Sequence, residues 1–84
     1  MARASIKATD LYCKVWNWDH SLENAFPEEV LPWTRKRDRY LEKFREALAR
    51  TTREGFLRGR WGNTPMHKRI ELWERMVARA YRET

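Results

Sequence analysis

The fold is decided by residues 32–54, which read PWTRKRDRYLEKFREALARTTRE. Seven of them share one face, within an arc of about 120°, if the segment is helical: Trp33, Tyr40, Leu41, Phe44, Ala47, Leu48 and Thr51. Pro32 suits the first helical position, where its missing N–H has no intrahelical acceptor. Gly55 can adopt the left-handed conformation that often follows a helix. The sequence therefore predicts an amphipathic helix over residues 32–54.

Two further segments carry the same periodicity. Residues 9–26 place Leu11, Val15, Trp18, Leu22 and Ala25 on one face, and Pro27 ends that helix because it excludes helical geometry from the preceding residue. In residues 65–82, Met66, Ile70, Trp73 and Val77 recur in the same way after a Thr64-Pro65 start. Asn17 to Ser21 have poor helix propensity, which makes this the weakest part of the first helix.

The remaining segments are predicted to be connections. Residues 55–64 contain all three glycines of the chain and interrupt the helical pattern, so we expect a loop there. Residues 1–8 are expected to form an extended N-terminal arm. No strand pattern or internal repeat is present. The chain of 84 residues is therefore predicted to be one all-α domain, a small three-helix bundle with helices at about 9–26, 32–54 and 65–82.

The core of such a domain must be small, because a chain of this length hides only about 60% of its unfolded surface. We expect the core to contain Leu11, Val15, Trp18, Leu22, Leu41, Phe44, Leu48, Ile70, Trp73 and Val77. The chain has five Trp, three Tyr and three Phe, more aromatic surface than this core can cover. Exposed aromatic residues favour an interaction site. The surplus predicts a partner that covers Trp16, Trp33 and Trp61.

Positive charge is concentrated in the middle of the chain. Residues 35–60 contain ten of the eighteen Lys and Arg residues and only four acids, in a chain with a net charge of +6. Arginine binds phosphate and carboxylate through paired hydrogen bonds, so an anionic partner is expected. The basic residues predicted to bind it are Arg35, Arg39, Lys43, Arg50, Arg53, Arg58 and Arg60. The alternative is an ordinary solvated helix face.

Arg37 stands apart from these residues because it falls inside the apolar arc. We expect its stem to lie along the core edge with its guanidinium in solvent, or else a buried or interfacial ion pair.

No catalytic, metal-binding or cofactor-binding site is predicted, and we expect a protein that is not an enzyme. Asp19, His20 and Ser21 are adjacent and cannot converge on a substrate as a triad does. His67 has no ligand at metal-site spacing. Cys13 is the only cysteine, which rules out an internal disulfide and favours a reducing intracellular compartment. No segment is apolar over a membrane-spanning length. Residues 1–9 are basic and lack acids, which faintly resembles an organelle-targeting start.

Some of these features resemble the LYR-motif proteins, which are small, basic, three-helix mitochondrial proteins. Leu11 and Tyr12 match the first two motif positions, Phe44 matches the downstream aromatic, and Cys13 stands where the motif has Arg. Two further features add to the resemblance. The first helix ends at Phe26-Pro27, and the second helix is basic. The resemblance implies an accessory subunit or assembly factor of a respiratory or iron–sulfur system on the matrix side. It also implies an acidic acyl carrier protein as partner.

Three functions remain open from the sequence. The leading hypothesis is a non-enzymatic accessory subunit of a larger protein complex, with a mitochondrial respiratory-chain complex as the specific expectation. The second is a nucleic-acid-binding protein whose basic helix contacts phosphates while Trp61 stacks on bases. Asp38, Glu42 and Glu46 interrupt that basic surface and argue against sequence-specific reading of DNA. The third is an inhibitor, for example phage-encoded, that binds a host enzyme.

Overall fold

The computed structural model describes residues 2–59 and 61–82, with side chains from residue 7 onward. It contains four helices, α1 (Ala2–Glu23), α2 (Pro27–Ala49), α3 (Arg53–Leu57) and α4 (Met66–Tyr81). The described residues include no strand, and the three long helices pack against one another. The prediction of a small all-α bundle is therefore confirmed. The molecule is elongated, with extents of 43 × 22 × 21 Å.

The two longest helices form an antiparallel hairpin with a tight turn. The amides of Asn24 and Ala25 bond to carbonyls of the last turn of α1. Phe26 then takes an extended conformation, as expected for a residue before proline. The second helix begins at Pro27, only four residues after α1 ends at Glu23.

The second helix begins at Pro27, five residues before the predicted start at Pro32. Glu29 supports this earlier start because its carboxylate accepts the backbone N–H of Phe26 at 2.9 Å. Glu28 and Glu29 also place negative charge in the first turn, where the helix dipole favours it. Pro32 therefore lies inside the helix and removes one backbone hydrogen bond, at a position exposed to solvent.

The first helix is longer than predicted. It begins at Ala2, so the expected extended arm at residues 1–8 is wrong for residues 2–8. Ala8 is fully buried, which gives this segment a reason to stay helical against the bundle. The helix also continues through Asn17 to Ser21, where propensity alone is weakest.

The segment after α2 differs most from the prediction. The second helix ends at Ala49 rather than at residue 54, and a short helix, α3, occupies part of the expected 55–64 loop. The Thr52 hydroxyl accepts the N–H of Gly55 at 3.0 Å, so Gly55 helps to begin α3 instead of closing α2. Gly62 has a φ of 56°, a left-handed conformation that suits glycine. The last helix begins at Met66 with Pro65 as its N-cap, one residue later than expected.

The core lies where α3 and α4 cover one end of the hairpin. It consists of Ala8, Leu11, Val15, Leu41, Phe44, Ala47, Leu48, Phe56, Leu57, Met76 and Ala80. Of the predicted core residues, Trp18, Leu22, Ile70, Trp73 and Val77 are only partly buried. Phe56 and Leu57 are core residues in the segment predicted to be a loop. They contribute because α3 turns their side chains inward as a pair.

Candidate partner-binding surfaces

The far end of the hairpin has no interior. We call residues 16–34 the hairpin tip; they comprise the end of α1, the turn and the start of α2. None of them is buried, and the next buried residue along the chain is Leu41. The tip nevertheless contains seven large apolar side chains: Trp16, Trp18, Leu22, Phe26, Val30, Leu31 and Trp33. This is a high apolar content for a segment without a core.

The apolar surface of the tip is concentrated around the turn. Phe26 is 67% exposed, Leu31 is 61% exposed and Val30 is 44% exposed. Phe26 immediately precedes α2, and Val30 and Leu31 follow within its first turns. Contiguous exposed apolar groups of this kind mark interaction sites on soluble proteins.

One side of α2 connects the tip with the core. Val30, Arg37 and Leu41 are spaced by seven and four residues, which places them on one side of the helix. Leu41 belongs to the core cluster together with Met76 and Ala80 of α4. Val30 therefore lies on the side of α2 that carries Leu41, but nearer to the turn than Arg37.

An ionic cluster marks the point where α4 stops. Arg79 donates to both carboxylate oxygens of Asp19, at 2.9 and 3.1 Å. Arg37 donates to the same carboxylate at 3.0 Å. These contacts join α1, α2 and α4 through one acidic side chain. Burial opposes ionisation of Asp19, but the hydrogen bonds from Arg79 and Arg37 outweigh it and hold the pKa of Asp19 below its ordinary value.

Arg37 thus takes the paired arrangement rather than the solvent-exposed one. No signal in the sequence identified Asp19 as the shared acid, because its two partners are distant in the chain.

The hairpin tip is acidic, in contrast to the rest of the molecule. Residues 16–34 contain four acids and no Lys or Arg, although the chain carries +6 overall. Asp19 is neutralised by its two arginines, whereas Glu23 and Glu28 are exposed and form no ion pair among the described residues. The tip therefore combines apolar surface with unpaired negative charge.

The predicted basic residues form an exposed row on the other side of α2. Arg35, Arg39, Lys43 and Arg50 are exposed, and none forms an ion pair within the described part of the chain. Their spacing of four and seven residues aligns them along the helix. We call these four residues the basic stripe. Arg53 and Arg58 are also exposed, on and just after α3, and Arg60 lies outside the described residues.

Several arginines have structural roles that the charge count did not reveal. Arg45 donates to the carbonyl of Ala80 in the last turn of α4. Arg69 donates to the carbonyls of Thr64 and Leu57, both at 3.0 Å, and ties α3 to α4. Together with Arg37 and Arg79, these residues show that some of the arginines in this basic chain hold the bundle together.

Lysine–aromatic contacts line the seam between α1 and α2. The ammonium groups of Lys14 and Lys43 lie 5.3 and 5.8 Å from the centre of the Tyr40 ring. Lys36 lies 5.7 Å from the Trp18 ring centre, and Trp18 meets Trp33 edge to face at 5.8 Å. The three rings are half-buried. Of these contacts, the one between Trp18 and Trp33 joins α1 to α2 within the tip, and the lysine contacts flank it along the seam.

The tryptophans predicted to meet a partner have different environments. Trp16 is the most exposed, at 49%, and stacks on His20. Trp33 is half-buried against Trp18. Trp61 is turned towards the core, where its indole N–H donates to the Phe56 carbonyl at 2.7 Å and its ring packs edge-on against Phe56. No tryptophan is fully buried.

The residues that carry the resemblance to LYR-motif proteins lie in the core region. Leu11 and Phe44 are buried, and the Tyr12 ring contacts Phe44 with ring centres 5.7 Å apart. Cys13 is exposed. The described residues contain no group of three or more His, Cys, Asp or Glu side chains able to hold a metal ion. None of the helices in the described part of the chain has the length and apolar character needed to cross a membrane.

Comparison with known proteins gives no relative to guide the interpretation: no family model, no curated protein and no solved structure matches this chain.

Proposed function

We propose that this protein is a non-enzymatic accessory subunit that joins a larger protein complex through its hairpin tip. The observation that carries the proposal is the exposure of Phe26, Val30 and Leu31 in a segment where no residue is buried. Burial of apolar surface yields about 25 cal/mol per Å², so covering these side chains would contribute substantially to association. The tip is well suited to this role because bundle formation leaves it uncovered.

The charge of the tip restricts the kind of protein that would receive it. Glu23 and Glu28 flank the apolar side chains and have no internal partner among the described residues. A receptor surface with an apolar centre and a basic rim would complement them, and charge complementarity improves both specificity and association rate. The specific placement in a mitochondrial respiratory-chain complex and the binding of an acyl carrier protein stay predictions from the family resemblance.

Affinity purification from the native source tests this proposal. The tagged chain is compared with a Phe26→Ser/Leu31→Ser variant and with a Met66→Ser control, because Met66 is 50% exposed but lies at the start of α4. We expect the co-purifying proteins to be lost with the tip variant and retained with the control. Equal recovery with both variants would contradict the proposal. Far-UV circular dichroism confirms that each variant remains folded. An inhibitor of a host enzyme would behave in the same way, and the identity of the captured protein separates the two roles.

Nucleic-acid binding is a second candidate function, and the basic stripe favours it. Arg35, Arg39 and Lys43 repeat once per helical turn, about 6 Å apart, and are free of ion pairs among the described residues. Such a row can neutralise phosphates along a duplex backbone. Base stacking by Trp61 is disfavoured because that ring packs against Phe56. The stripe would therefore bind the phosphate backbone, independently of base sequence.

Salt dependence tests the second candidate. Binding to a labelled DNA duplex is measured over a range of salt concentrations for Arg35→Gln/Arg39→Gln/Lys43→Gln. The control, Lys68→Gln/Arg75→Gln/Arg82→Gln, removes the same charge from exposed positions on and after α4. If the stripe binds phosphates, its variant alone should lower the slope of log K against log salt by about 3. Equal effects of both variants would indicate nonspecific attraction to a basic protein and would remove this candidate.

A further inference from the structure

We propose that the occupant of the hairpin tip is a basic amphipathic helix of the partner protein, lying against the hairpin in line with α4. This inference rests on the proposed function and deepens it by naming the chemistry of the partner. At the tip, Glu23 and Val30 repeat the acidic and apolar positions of Asp19 and Leu41, but no helix of the described residues packs against them.

The direction of α4 along the hairpin follows from a contact at each of its ends. Its N-terminal part lies beside α3, where Arg69 bonds to the Leu57 carbonyl. Its last turn reaches Asp19 through Arg79. The helix therefore runs towards the turn between α1 and α2 and ends at Tyr81, and its Arg79 side chain contacts the tip at Asp19.

The length of the uncovered surface of α2 limits the size of the occupant. Residues 27–36 of α2 precede Arg37 and extend about 15 Å beyond it at the rise of an α-helix. Val30 lies on the same side of α2 as Leu41, which belongs to the same core cluster as Met76 and Ala80 of α4. An additional helix of about ten residues, or three turns, would fit against this length.

The acidic residues of α1 indicate the charge of the occupant. On α1, Glu23 follows Asp19 by four residues and therefore lies one turn further towards the tip on the same face. Asp19 receives Arg79 of α4, whereas Glu23 has no ion-pair partner among the described residues. A basic side chain on the incoming helix would repeat at Glu23 the contact that Arg79 makes at Asp19. Apolar residues on its inner face would cover Val30 and, at the turn, Phe26.

A peptide of this chemistry is available from the chain itself. Residues 66–82, which include α4, carry five Lys or Arg against two Glu and an apolar face already complementary to the hairpin. The labelled synthetic peptide is titrated with the full chain, and binding is followed by fluorescence anisotropy. A scrambled peptide of identical composition controls for charge, because it removes only the amphipathic pattern.

Variants of the full chain locate the binding site. We expect Glu23→Lys and Val30→Ser each to weaken peptide binding about tenfold, which corresponds to about 1.4 kcal/mol. Glu46→Lys makes the same charge change on an exposed part of α2 outside the tip, and Met66→Ser removes an exposed apolar side chain elsewhere. Both controls should change the affinity less than twofold. In isotope-labelled protein, the amide signals of residues 22–31 should shift on addition of the peptide.

Several results would overturn the inference. The peptide failing to bind, the scrambled peptide binding equally well, or the controls weakening binding as much as the tip variants would each do so. Sedimentation showing that the chain alone forms a dimer that Val30→Ser dissociates would replace the partner helix with a second copy. If the purification described above depends on the tip but the peptide does not bind it, the proposed function survives and only the helical, basic character of the partner is wrong.

Discussion

The two ends of the α1–α2 hairpin are built from similar residues but differ in what covers them. At the covered end, Phe44 of α2 and Phe56 of α3 are fully buried in the core. At the tip, Phe26 is 67% exposed and no residue from 16 to 34 is buried. In the described residues of the hairpin, full burial of apolar side chains is therefore confined to the part that α3 and α4 reach. The exposed apolar residues of the tip are therefore the ones to which we assign the proposed role in association.

Matched phenylalanine truncations give the largest expected contrast between the two ends. Phe56 lies between Trp61 and Trp73, with ring centres 5.0 and 5.2 Å away. We expect Phe56→Ala to lower the free energy of unfolding by about 3–5 kcal/mol through the lost transfer energy and the cavity left behind. Phe26→Ala should change it by no more than about 0.5 kcal/mol, as for an ordinary surface position. Urea unfolding followed by far-UV circular dichroism measures both. If the two substitutions lowered the free energy of unfolding by similar amounts, the Phe26 side chain would have to be buried in solution.

The ionic cluster at the boundary between the two ends gives an intermediate effect. Asp19→Asn removes the charge that pairs with Arg37 and Arg79, and we expect a loss of about 1–3 kcal/mol at neutral pH. Glu23→Gln, one turn away and without an ion-pair partner among the described residues, should leave the stability nearly unchanged. Urea unfolding at pH 7 compares the two variants. Equal stability of Asp19→Asn and the unmodified chain would mean that α4 is held by its apolar contacts alone.

The same cluster predicts a dependence on pH. The pKa of Asp19 is lower in the folded chain than in the unfolded one, so the unfolded chain binds protons more readily as the medium becomes acid. The stability contributed by Asp19 is therefore complete above the unfolded pKa of about 4 and is lost as pH falls through the lower folded value. Stability measured from pH 7 to pH 2 should fall less steeply for Asp19→Asn than for the unmodified chain.

Pro32 gives the smallest effect and tests whether the tip is locally strained. It lies in the second turn of α2, where it cannot donate the backbone hydrogen bond that another residue would make. We expect Pro32→Ala to raise the free energy of unfolding by about 1–2 kcal/mol and to slow amide exchange in residues 28–33. Pro27→Ala is the matched control, since Pro27 is at the first helical position and no gain is expected there. A destabilised Pro32→Ala variant would contradict this account.

Sequence periodicity was enough to predict the main architecture, because each long helix carries an apolar stripe that is readable without its neighbours. The segments around Val15, Phe44 and Val77 follow the 3.6-residue period, and their helical state is confirmed. Helix ends were predicted less well. Glu29 capping Phe26, and Thr52 bonding to Gly55, are local contacts whose signals were present in the sequence but competed with proline and glycine signals nearby.

The sequence by itself determined the helical class, the excess of aromatic residues and the segregation of charge into an acidic segment and a basic helix. Only the tertiary structure decided which of these residues remain available. The sharing of Asp19 by Arg37 and Arg79 and the exposure of Phe26 depend on where α4 ends relative to the hairpin. That relation joins residues as far as 60 positions apart, and local patterning does not encode such distances because it describes each helix face without its neighbour.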